Sequence, residues 1–286
     1  MLSSKNPTIF FINRIFSLAH VYKSKHTNKF KDKILVNAFF EPSMRTSLSF
    51  ESAMYRLGGN VITFNKDIST MNKGENIEDT IKTLSKYGDA MVIRHPDKSV
   101  IEEAAKYSDI PIINGGTGDR EHPTQGLLDL YTIHECFNLH DRLNILFIGD
   151  IMSSSAIKSL LDYLSIYPKI KVNMLPYDNR GPSMDMLYDI GMNRRQLPDD
   201  IIIYEDRLDI EKYDVIYMSS LQEERINNLL SRAKTDCIIM HPFPRDGEID
   251  RSIDSDPRNK DFEQIKNGVA IRKAILHYIF IDLKEQ

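Results

Sequence analysis

Short apolar runs alternate with helical patterns along most of this chain. The runs predict buried strands, at 34–40, 61–64, 90–93, 110–113, 144–148, 171–174, 201–204, 215–218 and 237–240. Between them, apolar residues recur every three or four positions, as in Ile77, Ile81, Leu84 and Tyr87. This alternation is typical of parallel sheets covered by helices, so it predicts an α/β fold.

One break in the pattern suggests two domains. A long helical pattern from Thr124 to Phe137 is followed by the polar turn 138–141, and a new strand begins at Asn144. We therefore predict α/β domains at 1–137 and 138–267, and we expect a C-terminal helix, 268–286, to pack back on the first.

Composition narrows the class of protein. The 286 residues are 41% hydrophobic and 27% charged with a net charge of −4, which indicates a soluble protein without general attraction to nucleic acid. No apolar stretch approaches the ~20 residues that cross a bilayer, so we expect no membrane partner. The two cysteines, Cys136 and Cys237, do not have the spacing of a disulfide scaffold or zinc site.

The N-terminal segment has two interpretations. Its first 31 residues are basic and contain no Asp or Glu, as in some organellar transit peptides. Alternatively, one face of a first helix is buried and carries Ile9, Phe10, Ile12, Ile15, Phe16 and Leu18. We favour the helix and expect a cytoplasmic protein.

A small cationic turn follows the first strand. It reads Glu41-Pro42-Ser43-Met44-Arg45-Thr46 and opens a helix with Phe50, Met54 and Leu57 at helical spacing, which ends at Gly58-Gly59. A helix N-terminus with hydroxyl and guanidinium donors can bind phosphate. A serine N-cap beside a surface arginine explains the same residues.

Further polar clusters follow other predicted strands. They are Arg94-His95-Pro96, the glycine-rich 114–118 with His122–Gln125, Gly149-Asp150 with three serines at 153–155, and His241–Arg245. Each is a weak signal alone. Parallel strands bring such loops to one edge of a sheet, where ligands bind.

Together, these segments resemble the aspartate/ornithine transcarbamylase family. The matching segments are 39–51, 73–75, 94–96, 122–133, 149–150, Gln222 with Arg225, 241–245 and 267–272. Ornithine-type members usually carry a cysteine near 241–244, which this chain lacks, so it is closer to the aspartate branch. The resemblance implies two doubly wound parallel-sheet domains joined by long helices.

The resemblance also implies a carbamoyl phosphate site. Its ligands would be Ser43, Met44 through its N–H group, Arg45, Thr46, Arg94, His122, Gln125 and the main chain of Pro242 and Phe243. Thr46, Arg94 and His122 would polarise the carbamoyl oxygen, and the departing phosphate can take the released proton. The reaction requires neither a metal nor an organic cofactor.

Other residues would act between subunits or between domains. In the family, Ser69 and Lys73 match a loop that reaches a neighbouring active site, which implies a homotrimer with Lys73 as a shared catalytic residue. Glu41 would pair with acceptor-domain arginines, including Arg225, to organise a closed state.

The acceptor half departs from the aspartate pattern. Ser155 and Ser220 stand where the family carries arginines that grip aspartate, although Gln222 is retained. Lys158 is a candidate replacement cation, and the segment between Arg225 and His241 is shorter than in the family. Three functions remain open: an aspartate carbamoyltransferase of pyrimidine biosynthesis with a rebuilt acceptor site, a transcarbamylase for another amine, or a non-catalytic protein that keeps the fold.

Overall fold

The computed structural model describes residues 3–65, 76–176, 208–219, 223–245, 249 and 251–284, with the backbone alone at 65, 223–227 and 284. Two four-stranded sheets are present in these ranges. The first contains β1 (Ile34–Phe39), β2 (Asn60–Asn65), β3 (Ala90–Arg94) and β4 (Ile112–Asn114). The second contains β5 (Leu143–Gly149), β6 (Ile170–Pro176), β7 (Val215–Ser219) and β8 (Ile238–Met240). The predicted α/β alternation is confirmed, and the predicted strand at 201–204 lies outside the described residues.

Both sheets are wholly parallel and have the same strand order. The first is ordered β2-β1-β3-β4 and the second β6-β5-β7-β8. In each sheet the chain winds outward in both directions from the central pair, β1 and β3 or β5 and β7. The loops after these central strands diverge and leave a crevice at their carboxyl ends, which is where such sheets bind ligands.

Eight α-helices cover the sheets in the described ranges. They are α1 (Ile9–Tyr22), α2 (Met44–Arg56), α3 (Ile77–Ser85), α4 (Lys98–Tyr107), α5 (Pro123–Cys136), α6 (Ser155–Leu164), α7 (Glu223–Arg232) and α8 (Asp261–Phe280). The largest hydrophobic core lies between the sheets, where α5 packs against both α6 and α8. Helix α8 also contacts α1 and α2. The two domains therefore share one core around α5 and α8.

Close packing at α5 and α6 depends on Gly126. A Cβ at this position would lie 2.8 Å from the backbone carbon of Ser159 and 2.9 Å from its carbonyl oxygen. A glycine therefore lets the two helices cross at the level of the first turn of α5, next to His122.

The first helix differs in detail from its prediction. Ile12, Ile15 and Phe16 are buried with Leu18, but Ile9 is 40% exposed and Phe10 is 70% exposed. The prediction was wrong for these two: successive helical residues turn by about 100°, which puts Phe10 opposite Ile12, and Ile9 is the first residue of α1. No helix in the described ranges is long and apolar enough to span a membrane.

Candidate functional site

A cavity of about 890 Å³ lies at the carboxyl ends of both sheets. Most of the residues predicted from the sequence line it: Ser43, Met44, Arg45, Thr46, Arg94, His122, Gln125, Ser155, Pro242 and Phe243. They come from five separate segments, so the fold brings together residues that are distant in sequence.

One wall of the cavity is the N-terminus of α2. Phe50, Met54 and Leu57 are fully buried, Ser43 is at the N-cap position, and Gly58 has a φ of +85° just beyond the helix end, as the sequence pattern predicts. Ser43 makes no side-chain capping hydrogen bond. The local alternative, a serine that caps the helix, is therefore not what the structure shows. Ser43, Met44 and Arg45 line the cavity, so the first turn of α2, whose N–H groups have no partner within the helix, borders it.

Two arginines flank this wall. Arg94 Nε lies 2.7 Å from Glu41 Oε1, and its Nη1 donates to the carbonyl of Gly115 at 3.3 Å. Arg45 forms no ion pair among the described residues, and its guanidinium lies 5.8 Å from the centre of the Phe243 ring. Burial, and secondly the charge of Arg94, lower the pKa of Arg45. An anion in the cavity would relieve this unfavourable charge environment.

Gly116 makes room for Arg94. Its φ is +124°, which favours glycine, and a Cβ there would overlap Arg94 Nη1. The glycine-rich segment after β4 therefore shapes the position of an arginine on the neighbouring strand, β3.

His122 is buried at the start of α5, and its imidazole is neutral. Its Nε2 lies 3.2 Å from Thr46 Oγ1, and its backbone N–H donates to Ser159 Oγ at 2.8 Å. Burial, followed by the charges of Arg94, Arg272 and Arg45, lowers the pKa of His122 well below 6.5. A neutral imidazole can donate from one ring nitrogen but carries no charge to compete with the arginines for an anion.

Sequence reasoning missed a third arginine, Arg272 on α8. It is 3% exposed and lines the cavity, its Nη2 donates to Thr124 Oγ1 at 3.3 Å, and its guanidinium lies 5.1 Å from the centre of the Phe50 ring. Burial lowers its pKa to about 9. The family-like segment 267–272 marks this arginine, but no local pattern indicates that α8 returns to the cavity.

Sequence reasoning also missed Asp129, a fully buried carboxyl group on α5. It accepts hydrogen bonds from Gln125 Nε2 at 2.9 Å, Gln264 Nε2 at 2.8 Å and the Tyr217 hydroxyl at 2.7 Å. Burial raises its pKa to about 7, although the three donors oppose this shift. A single acid inside the apolar sequence Leu127–Leu130 was the available signal.

The loop after β8 forms the opposite wall. Phe243 has a φ of +52°, in the left-handed region that bulky residues avoid. Its N–H donates to His241 Nδ1 at 3.0 Å, and Arg245 lies 4.9 Å from the centre of its ring. The His241 N–H in turn donates to Gln264 Oε1 at 3.0 Å. These contacts hold the Pro242 and Phe243 backbone against the cavity.

The tips of β5 and β7 complete the cavity with neutral and acidic groups. They contribute Asp150, Ser153, Ser154, Ser155 and Ser219. Asp150 accepts the Ser153 N–H at 3.0 Å, and Ser154 caps α6 by accepting the Ile157 N–H at 3.3 Å. Within the described part of this wall there is no lysine or arginine.

Lys158, the candidate replacement cation, is bound outside the cavity. Its ammonium group donates to the carbonyl of Asp119 at 2.7 Å, and the residue does not line the cavity. Position 158 lies one turn along α6 from Ser155, but its side chain extends towards the loop before α5. The structure therefore does not support the proposed substitution.

Several predicted residues cannot be placed. Ser69, Lys73, Ser220 and Gln222 lie outside the described residues, and Arg225 is described by its backbone alone within α7. Glu41 is described, and its carboxylate contacts Arg94.

Comparison with known proteins matches both halves of the chain. Residues 2–135 match the carbamoyl phosphate-binding domain of aspartate/ornithine carbamoyltransferase, and residues 141–279 match the aspartate/ornithine-binding domain. The aspartate carbamoyltransferase catalytic subunit of Alkaliphilus oremlandii is 38% identical over 273 residues, covering 88% of this chain and 81% of that protein. The Methanococcus vannielii catalytic subunit is 39% identical, covering 91% and 89%.

A solved structure agrees with these matches. Aspartate transcarbamoylase from Trypanosoma cruzi, in complex with carbamoyl aspartate and phosphate, is similar with a TM-score of 0.87 and 36% identity, covering 96% of this chain and 94% of that one. The fold, both domain matches and the full-length relatives agree, and the chain belongs to the aspartate/ornithine carbamoyltransferase family, in its aspartate carbamoyltransferase branch.

Proposed function

We propose that this protein transfers the carbamoyl group of carbamoyl phosphate to the amino group of aspartate, a reaction of pyrimidine biosynthesis. One observation carries the proposal: the α2 N-terminus, Arg94, His122, Gln125 and the Pro242 backbone line one cavity in a chain of this family. This set of groups offers donors for a phosphate, donors for a carbonyl oxygen and an acceptor for an amide.

The phosphate group would bind at the start of α2. The Ser43 hydroxyl, the N–H groups of Met44 and Arg45 and the Arg45 guanidinium would surround it. Arg45 is partly desolvated and has no acidic partner among the described residues, so the bound dianion would supply its counter-ion.

The carbonyl oxygen would face Thr46, Arg94 and His122. The amine nitrogen attacks the carbamoyl carbon, negative charge grows on this oxygen, and the carbon–oxygen bond to phosphate then breaks. Donors fixed before the reaction stabilise that charge more effectively than mobile water does. His122 acts as a neutral donor from Nε2, and the departing phosphate takes the proton from the amine.

Glu41 would change partner during this cycle. In the structure it lies against Arg94, and both groups are partly buried. Phosphate binding would compete for Arg94, after which Glu41 could pair with Arg225 of the acceptor domain and stabilise closure.

A second acceptor class is favoured by the tips of β5 and β7. Ser155 lines the cavity where the family has an arginine, and Asp150 adds negative charge beside it. A neutral or cationic amine would suit this wall better than a dicarboxylate.

Three further features belong to the proposal. The domain boundary near 137–138 falls between the two family matches, and α8 packs on helices of the first domain.

We propose a homotrimer in which Ser69 and Lys73 enter a neighbour's site. We also propose a cytoplasmic location, which suits two free cysteines, one of them exposed.

The acceptor can be identified with isotope-labelled carbamoyl phosphate and a panel of amines. We expect labelled carbamoyl aspartate as the main product. Product from another amine alone would support the second class, and binding without turnover on any acceptor would refute the enzymatic function.

Subunit sharing has its own test. Arg45→Ala and Lys73→Ala proteins would each be inactive, but mixed trimers would contain sites that carry neither substitution. Recovered activity after mixing is the expected result, and its absence in trimers shown by light scattering to be mixed would refute the shared site.

A further inference from the structure

Asp129 lies where three elements of the candidate site meet, although it does not line the cavity. It is on α5, one turn after Gln125, and receives Tyr217 from β7 and Gln264 from α8. Its side chain is fully buried, and both of its oxygens accept hydrogen bonds from these groups. A single carboxyl group therefore joins parts of both domains.

A carboxylate imposes a direction on each glutamine. Both glutamines face the same oxygen, Oδ1, which accepts hydrogen bonds whether the carboxyl group is ionised or carries a proton on Oδ2, so both amide NH₂ groups must point towards Asp129. The amide oxygens must then point away from it. For Gln264 this oxygen accepts the backbone N–H of His241 at 3.0 Å, at the start of the loop that carries Pro242.

Gln125 is oriented in the same way, with its amide NH₂ group towards Asp129 and its amide oxygen away from it. Its Nε2 is held by Asp129 at 2.9 Å, and none of the donors in the described ranges contacts its Oε1. The residue lines the cavity, so its Oε1 is left available as an acceptor. Without Asp129 nothing among these contacts would prevent the amide from turning over and presenting NH₂ instead.

We infer that Asp129 is a positioning residue that makes the amide end of the donor subsite an array of hydrogen-bond acceptors, and that it thereby selects a carbamoyl over an acetyl group. This inference rests on the proposed function. A carbamoyl NH₂ group would donate to Gln125 Oε1 and to the Pro242 carbonyl. An acetyl methyl group has the same size but would leave these acceptors unpaired, which is the basis of strong discrimination between isosteres.

The test measures the ratio of dissociation constants for acetyl phosphate and carbamoyl phosphate. Isothermal titration without an acceptor amine gives both, and inorganic phosphate reports the phosphate end separately. We expect the unmodified protein to favour carbamoyl phosphate by about tenfold or more. Asp129→Leu, which has a similar shape but no acceptor, should reduce the ratio to within about threefold, with phosphate affinity little changed.

Two variants separate positioning from general structure. Asp129→Asn keeps an oxygen for the two glutamines while its NH₂ group faces the Tyr217 hydroxyl, which can accept, so selectivity should be retained. Tyr217→Phe removes one donor without touching either glutamine contact and should leave the ratio within about twofold. If Asp129→Leu does not fold, Asp129→Ser leaves room for a water that can donate or accept, and the same loss of selectivity is expected.

The outcomes are distinct. Full selectivity in folded Asp129→Leu or Asp129→Ser would overturn this inference alone. An equal weakening of all three ligands, phosphate included, would also overturn it, because that result indicates a structural role. If the unmodified protein fails to bind carbamoyl phosphate, the proposed function fails and the inference fails with it.

Discussion

Replacing Arg45 by alanine tests the assignment of the phosphate-binding turn. The guanidinium lies at the start of α2, beside Arg94, on a residue that is exposed overall, and it pairs with no carboxylate among the described residues. In the free protein its charge is therefore not used to stabilise the fold. We expect Arg45→Ala to weaken ligand binding strongly without lowering the free energy of unfolding.

The size of the effect follows from the contacts that would be lost. A hydrogen bond to a charged group contributes about 1.5–3 kcal/mol, which corresponds to roughly 10–150-fold in the dissociation constant for carbamoyl phosphate. Arg45→Lys keeps the charge but loses the planar fork, so an intermediate loss of roughly tenfold is expected. Relief of repulsion with Arg94 should keep the melting temperature of the ligand-free protein equal or slightly raised.

Isothermal titration with carbamoyl phosphate and with inorganic phosphate, at one ionic strength, measures both affinities. Arg142→Ala is the matched control, because it removes one exposed positive charge in the turn before β5. A dissociation constant for Arg45→Ala within about twofold of the unmodified protein would refute the assignment. Equal losses in Arg45→Ala and Arg142→Ala would indicate that only the net charge matters.

Three other predictions concern His122, Gly116 and Gly126. The NMR resonances of the His122 ring should stay unchanged from pH 8 to about 6, and a ring that titrates near 6.5 would contradict this. The free energy of unfolding should fall as the pH drops below about 6.5, because the unfolded chain then takes up a proton that the buried ring excludes. His122→Gln should reduce this loss of stability. Gly116→Ala should displace the Arg94 guanidinium and weaken phosphate binding, and a thermal melt of the same variant separates this effect from a general loss of stability. Unchanged phosphate affinity would show that Arg94 adapts freely. Gly126→Ala gains about 1 kcal/mol of helix propensity but forces a Cβ against the Ser159 backbone, where overpacking costs about 1–3 kcal/mol. Thermal unfolding should therefore show a net loss of stability. A higher melting temperature would refute the tight helix crossing.

The sequence predicted the parts of the molecule whose determinants are local. The apolar period of α2, its glycine stop and the strand runs depend on neighbouring residues, and the structure matches them. The family motifs then indicated which strand ends would face one another, and those in the described ranges line one cavity.

The remaining features depend on long-range packing. Lys158 contacts a carbonyl 39 positions earlier in the chain. Arg272 reaches the cavity because α8 returns to the first domain, and Asp129 meets Gln264 across 135 positions. Such contacts leave no periodic signal, and a charged residue in an apolar run indicates only that some partner must exist.

The shared strand order of the two sheets has a consequence for how this protein can change. The groups that would hold the donor lie mainly at the tip of the first sheet, and the serines at 153–155 lie at the tip of the second. Ser154 still caps α6, and β5 keeps its full pairing with β7 despite the altered loop beside it. Substitutions in one set of loops therefore leave the hydrogen-bonded framework of the other intact. The wall that would receive the second substrate can therefore vary in sequence while the donor site, and the fold that supports it, are kept.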